Sequence, residues 1–341
     1  MSGVGVMAAW HPRALRRSWP GLSVAIVIAL AATYVSTSYG GPQLLYALFF
    51  GLAFHFLSLD PTCQPGIDFC SKTMLRTGVA LLGAKITFAQ MVSLGITPLL
   101  TVICALLTTM LFGWALARWL GRPSSEGVLA GGAVAICGAS AALAIAAVLP
   151  QTKENEKFTL LTVVGVTTLS TLAMIVYPLL VKVLHLDPTA AGIFLGGTIH
   201  DVAQVVGAGY MLSNHTGDVA TLVKLTRVAC LVPVVLALSF LFTRRGAAAA
   251  GGAAGGQPLV PIFLLGFVAL MIVNSFGWIA PQAAAALGSA SRACLVTAIA
   301  ALGMKTSFQS LASLGWRPVL MLVADTVWIA GFVLVALMLE G

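Results

Sequence analysis

Apolar runs long enough to cross a bilayer recur along almost the whole chain, separated by short polar or Gly/Pro-marked breaks. They predict about eleven helical spans, at roughly 20–36, 42–58, 67–86, 97–117, 125–150, 158–182, 189–212, 219–243, 258–279, 283–304 and 318–339. The pattern also repeats. Ser71–Leu100 aligns without a gap onto Ser291–Leu320, at a constant offset of 220 residues, with 13 of 30 positions identical. Ser71, Leu75, Thr77, Gly83, Lys85 and Pro98 are among the matched positions. The copies begin in the third and tenth spans, an odd number apart, so they point in opposite directions across the membrane. Inverted-topology repeats of this kind mark secondary transporters.

Composition agrees with the pattern. Of 341 residues, 59% are hydrophobic and 8% charged, against roughly 25% charged in soluble domains. The chain reads as an all-α polytopic membrane protein, with a short cytoplasmic segment (1–19) followed by one transmembrane transporter domain (20–341). Met1–Trp19 carries Arg13, Arg16 and Arg17 and is read as a retained cytoplasmic end, because no small-residue cleavage site follows it. The stretch 246–257 is Gly/Ala-rich and reads as a flexible cytoplasmic linker.

The net charge of +8 is first a matter of topology. With the N-terminus inside, inner segments hold ten Lys and Arg and outer segments three (Lys85, Lys153 and Lys157), which predicts N-inside and C-outside in a bacterial inner membrane. The basic residues form no patch interleaved with aromatics, which argues against nucleic acid as a partner. No Walker-type loop, zinc-binding helix motif, nucleophile elbow or dinucleotide fingerprint occurs, so no enzyme activity, cofactor or metal is expected.

Two spans read poorly as continuous helices. Gly127–Pro150 and Ala190–Ser213 each carry a Gly-Gly pair, followed by small or polar residues near the expected midplane. The first offers Gly138 and Ser140; the second offers Gly197, Thr198, His200, Asp201 and Gln204. Broken helices expose unpaired backbone groups, and exposed N–H groups bind anions. The alternative is close helix packing through small residues, for which Gly192 and Gly196 have the spacing.

An ionisable group at the bilayer centre costs about 3 kcal/mol on insertion scales and usually faces a cavity. Asp201 is therefore a candidate to take up a coupling proton, and His200 to share that task or to donate to substrate; a buried pair fixing helix register is the alternative. Asp325 in the last span is a third ion-coupling candidate, or the neutraliser of a nearby cation. Lys72, Arg76, Lys224, Arg227 and Arg292 fall inside predicted spans and outnumber these acids. The excess points to an anionic substrate, with Arg227 as a contact, while Lys72, Arg76 and Lys224 lie close enough to span ends to reach headgroups.

GVALLGAKITF (78–88), AICGASAA (135–142), GGTIHDVAQVVGAG (196–209) and KLTRVACLVPV (224–234) resemble blocks of the bacterial YeiH-like membrane proteins, a family commonly labelled sulfate exporters. The resemblance covers the chain from about residue 20 onward, except the linker. It implies a fold like the bile-acid symporters and cation/proton antiporters, with broken helices that cross and a core moving against a scaffold. Homodimers are common among such folds. The two broken segments do not map onto each other at the 220-residue offset. Together these features predict a secondary transporter of a small anion such as sulfate, sulfite or an organosulfonate, working by alternating access and coupled to protons or sodium. Substrate contacts are expected from Ser140, Thr198, Gln204, Arg227 and the backbone at Gly138 and Gly197. The alternative is a sodium/proton exchanger using Asp201 and Asp325.

Overall fold

A computed structural model of the chain describes residues 12–40, 42–87, 89, 95–150, 152–245, 262–306 and 316–340. The linker 246–257 and residues 1–11 of the N-terminal segment lie outside these, as do parts of both repeat copies. Among the described residues every regular element is helical and no strand occurs. In chain order the first elements are α1 (Pro12–Tyr39), α2 (Gln43–Ala53), α3 (Gln64–Phe69), a π-helical turn (Cys70–Met74) and α4 (Leu75–Leu82). Then come α5 (Thr97–Trp119), α6 (Ser124–Ala135), α7 (Ala139–Ala146), α8 (Lys153–Val183), α9 (Pro188–Thr198) and α10 (Val202–Leu212). The last are α11 (Asn214–Ala229), α12 (Leu231–Arg245), α13 (Ile262–Ser275), α14 (Pro281–Lys305) and α15 (Trp316–Glu340).

Among the described residues six stretches are long and apolar enough to cross a membrane: Arg17–Tyr39, Thr97–Trp119, Lys153–Val183, Asn214–Phe242, Pro281–Lys305 and Trp316–Leu339. The other five apolar regions form shorter or interrupted helices. Local chemistry accounts for several interruptions. In the second region α2 stops before His55, and Ser58 caps back onto the His55 carbonyl at 2.8 Å. In the fifth and seventh the chain is cut at Gly138 and at His200–Asp201.

Contacts divide the described chain into two compact units. The first takes residues within Met1–Gly95, Tyr210–Asn214 and Pro261–Ser307; the second takes those within Ile96–Gly209, His215–Val260 and Phe308–Gly341.

In the first unit α14 packs against α1, α2 and α4. Gly51 of α2 and Gly303 of α14 bring two backbones together: a β-carbon on Gly51 would meet Gly303 Cα at 3.0 Å, and one on Gly303 would meet Leu52 N at 3.0 Å. Polar ties run along α14. Ser291 donates to the Gly78 carbonyl at 2.6 Å, so the two repeat copies touch. His55 Nδ1 lies 2.7 Å from the Met304 carbonyl, and Lys305 pairs with Asp68 at 2.5 Å.

In the second unit α5 lies against α6, and α15 packs on α5, α6 and α9. Phe112 and Trp328 stack between α5 and α15, their centroids 4.5 Å apart. α8 begins at an N-cap, Thr152, whose side chain accepts from Asn155 N–H at 3.2 Å. Glu154 and Glu156 in its first turn and Lys182 in its last complement the helix dipole. α9 begins at Asp187, which accepts from the N–H groups of Thr189 and Ala190, with Pro188 at the first helical position.

The backbone contact makes a sharp stability prediction. Gly303→Val should destabilise the protein by about 1–3 kcal/mol, as overpacking does, and lower the midpoint of thermal unfolding in detergent. Gly331→Ala, where a β-carbon meets nothing within 4 Å, should leave it unchanged or slightly raised. Equal midpoints for the two variants would contradict the α2–α14 contact.

Candidate functional site

The site lies in the second unit, where both suspect spans are cut. α6 ends at Ala135; Ile136 departs from helical geometry (φ −110°, ψ −84°), and the chain turns at Gly138 (φ 65°, ψ −124°) before α7 begins at Ala139. That backbone conformation is open to glycine and strained for any residue with a β-carbon. The second cut needs no glycine: α9 ends at Thr198, Ile199 is extended (φ −63°, ψ 137°), and α10 starts at Val202. The two unwound stretches meet, since a β-carbon on Gly138 would lie 3.5 Å from His200 Cβ.

Cutting a helix leaves unpaired carbonyls on one side and unpaired N–H groups on the other. In lipid neither finds water. Both carbonyl ends are satisfied from α11. Arg227 donates through Nη2 to the Val134 carbonyl (2.8 Å), through Nε to Ala135 (2.9 Å), and through Nη1 to Gly196 (3.0 Å) and Ile199 (3.1 Å). Lys224, one helical turn earlier, donates to the carbonyls of Ile136 (2.6 Å) and Ile199 (2.9 Å). Both side chains are fully buried. Among the described residues neither is within ion-pair distance of a carboxylate.

This arrangement bears on four sequence-based expectations. Arg227 caps helix ends, with its donors directed at backbone carbonyls rather than toward a solute. Lys224 does not snorkel to headgroups; it is the second cap. Gly197 is the penultimate residue of α9, a carbonyl end, and packs against Val333, so its amide is no donor to an anion. Thr198 is likewise turned inward, its hydroxyl donating to the Phe194 carbonyl at 2.6 Å. Gly192 and Gly196 face α11 at Val219 and Val223, the packing role their spacing allows.

The amide ends are built differently. Asp201 opens α10: its N–H donates to Ser170 Oγ on α8 (3.0 Å), and its carboxylate accepts from the Ala203 N–H (3.4 Å). It is half-buried. Ser140 sits in the first turn of α7 and is exposed. His200 is fully buried, with Nε2 2.9 Å from Thr326 Oγ1. Thr326 gives its own proton to the Leu322 carbonyl (2.6 Å), so its oxygen accepts and His200 Nε2 donates. Nδ1 is then the acceptor, buried and without a hydrogen-bond partner. Gln204 is buried, with Nε2 3.4 Å from Thr171 Oγ1 and Oε1 unpartnered. Asp325 is fully buried on α15, and neither carboxylate oxygen has a hydrogen-bond partner.

Two participants escaped the sequence reading. Thr326 was hidden by its apolar span, and the Ser170–Thr171 pair of α8 by the Thr-rich run around it. Thr159, Thr162, Ser170 and Thr171 are all buried. Thr159, Thr162 and Ser170, three and eight residues apart, fall on one helical face, and that spacing was the available signal.

Comparison with known proteins bears on what this geometry belongs to. The family model described as "Conserved hypothetical protein 698" matches residues 20–322. A UPF0324 membrane protein of Chlorobaculum tepidum is 53% identical over 319 residues, covering 93% of this chain and 88% of that one. The chain belongs to the UPF0324 family of membrane proteins. Its resemblance to the YeiH-like proteins holds on these matches. Two other UPF0324 relatives bear the name TauZ: one from Paracoccus pantotrophus, 45% identical over 328 residues and covering 96% of this chain and 97% of its own, and one from Paracoccus denitrificans, 43% identical over 328 residues.

The capping geometry gives Arg227 a structural load in this UPF0324 protein that Ser140 does not carry. Arg227→Leu strands four buried carbonyl contacts and should cost about 3 kcal/mol or more in stability. Arg227→Lys, which keeps the charge and loses the planar fork, should recover only part of that. Ser140→Ala should shift stability by no more than about 0.5 kcal/mol. Unfolding of the three variants in detergent, followed by circular dichroism, checks the ranking; full recovery by lysine would refute the fork assignment.

Proposed function

We propose that this protein is a secondary transporter of a small anion, such as sulfate, sulfite or an organosulfonate, working by alternating access in the bacterial inner membrane. The observation that carries the reading is the burial of Lys224 and Arg227 with no carboxylate, among the described residues, paired to either. A charge count makes it concrete. The two cations contribute +2, the two carbonyl ends about −1, the two amide ends about +1, and Asp201 −1, which leaves about +1 at the crossing before Asp325 is counted. A bound anion would balance it. Substrate is held at the amide ends of α7 and α10, with Ser140 and the N–H groups beyond Gly138 as donors and Gln204 beside them.

Asp325 supplies the coupling. Ionised, it cancels the remaining positive charge and disfavours the anion; loaded with a proton, it leaves that charge for the substrate. His200 ties Asp325's neighbour Thr326 to the unwound stretch, which links the state of α15 to the start of α10. In this reading the N-terminus is cytoplasmic, the C-terminus is outside, and the two repeat copies have inverted topology. The broken helices act as the moving core, as in bile-acid-symporter-like folds, and a homodimer is the expected assembly.

Proteoliposomes loaded with labelled sulfate, sulfite or an organosulfonate test the transport claim. Wild type should move at least one of these anions faster when a proton gradient is imposed. Asp325→Asn should abolish the gradient's effect, and Ser140→Ala should raise KM with little change in kcat. Unaltered gradient dependence in Asp325→Asn would sink the coupling assignment. The topology has its own check: accessibility tags at 85 and 305 should label from opposite sides of the membrane.

One observation favours a second reading. A buried carboxyl with both oxygens unpartnered also suits a desolvated sodium ion, so a sodium/proton exchanger remains the alternative. It predicts pH changes inside vesicles driven by sodium, with no response to any of the three anions.

A further inference from the structure

The first unit contains a cavity of about 1380 Å³ that plays no part in the crossing of broken helices. It is larger than the roughly 300–1,000 Å³ typical of sites for drug-sized ligands, and far larger than a sulfate-sized anion requires. Its walls come chiefly from α1, α4 and α14, with apolar side chains that include Ile26, Leu30, Leu82 and Leu295. Leu30 is also 64% exposed, as are Val27 (63%) and Tyr34 (66%) on the same helix, so this wall continues onto the lipid-facing surface of a membrane span.

The charge in the cavity is all of one sign. Lys85 and Arg292 are its charged lining residues, and both are exposed. They converge on one short segment: Lys85 Nζ lies 5.4 Å from the Tyr210 ring centroid, and Arg292 Nη2 donates to Asn214 Oδ1 at 3.2 Å. Asn214 is neutral, and among the described residues no carboxylate pairs with the Arg292 guanidinium. An apolar chamber continuous with the hydrocarbon, carrying two cations at one end, matches an amphiphile with an anionic head.

We propose that this cavity binds an anionic phospholipid, its headgroup between Lys85 and Arg292 and an acyl chain along α1 and α14. Basic pockets between membrane helices hold anionic headgroups in this way, and each Lys or Arg contributes substantially near the membrane surface. The site stands apart from the transport reading, because none of its residues belongs to the crossing.

Native mass spectrometry of the purified full chain tests it, with phosphatidylglycerol, phosphatidylcholine of identical chains, and sodium sulfate as the three additives. Phosphatidylglycerol should be retained as a one-to-one adduct and raise the thermal midpoint, while phosphatidylcholine should not. The double variant Lys85→Gln/Arg292→Gln should weaken phosphatidylglycerol retention by about 30-fold while unfolding at the wild-type temperature in lipid-free detergent. Arg292→Lys, which keeps the charge, should retain most of the binding and covers the case in which the double variant fails to fold. Equal retention of the two lipids, or undiminished retention in a folded double variant, would overturn the proposal. So would displacement of phosphatidylglycerol by sulfate, which would make the chamber a site for free anions.

Discussion

Two cations one helical turn apart hold the cut ends of two helices, and the candidate site depends on that junction. A free carbonyl in a bilayer costs several kcal/mol. Breaking two helices at the same depth would leave a cluster of them. Arg227 reaches four carbonyls on two different helices because its donors are fixed in a plane. Lys224 adds the Ile136 and Ile199 carbonyls with a single nitrogen. Carbonyl ends of helices carry partial negative charge, so cations belong there on electrostatic grounds as well. The reverse dependence also holds: two cations buried this deeply are tolerable because those carbonyls surround them.

That junction divides the crossing into a closed half and an open half. The carbonyl side is saturated by protein donors and offers nothing to a solute. The amide side is where the chain keeps its less buried polar groups, the exposed Ser140 on α7 and the half-buried Asp201 on α10. Asp201 already uses its backbone N–H on Ser170 and its carboxylate on the Ala203 N–H, so α10 starts from a fixed position relative to α8. The contact of Gly138 with His200 places the two amide ends side by side. A bulkier residue at Gly138 would lose this twice, through its β-carbon and through the backbone conformation.

Much of this was legible in the sequence, and the failures have a common cause. Apolar periodicity found the all-helical class and the six stretches long and apolar enough to cross a membrane among the described residues, because hydrophobic length is written residue by residue. Both helix cuts were found too, at Gly138 and at His200–Asp201, because residues unsuited to a lipid-buried helix stand out in an apolar run. What the sequence did not disclose was partner choice. Lys224 and Arg227 read as anion contacts or snorkelling cations because their true partners are backbone carbonyls, and every residue has one. Thr326 and Ser170 were invisible for the mirror reason: a hydroxyl in a helix normally satisfies itself on its own backbone, as Thr198 does. A Gly-Gly pair marks a break without saying which side of it will present amides, and Gly197 falls on the carbonyl side.

The net charge of +8 illustrates why location outweighs composition. Lys305 and Lys72 share Asp68, and Arg122 forms a two-pronged pair with the buried Glu126. Arg122 is balanced by Glu126, and Lys305 and Lys72 are offset in part by Asp68, so these charges carry little information about a solute. Lys224 and Arg227 are balanced only in part, by helix dipoles that offset about half a charge at each end. Their remaining field acts inside a low-dielectric crossing, where water cannot screen it. A cation excess spread over loops would be neutralised by ordinary counter-ions, whereas an excess locked beside two helix amide ends is balanced most readily by an anion small enough to enter. In the proposed reading, the charge that calls for an anion belongs to the same junction that keeps the helices broken.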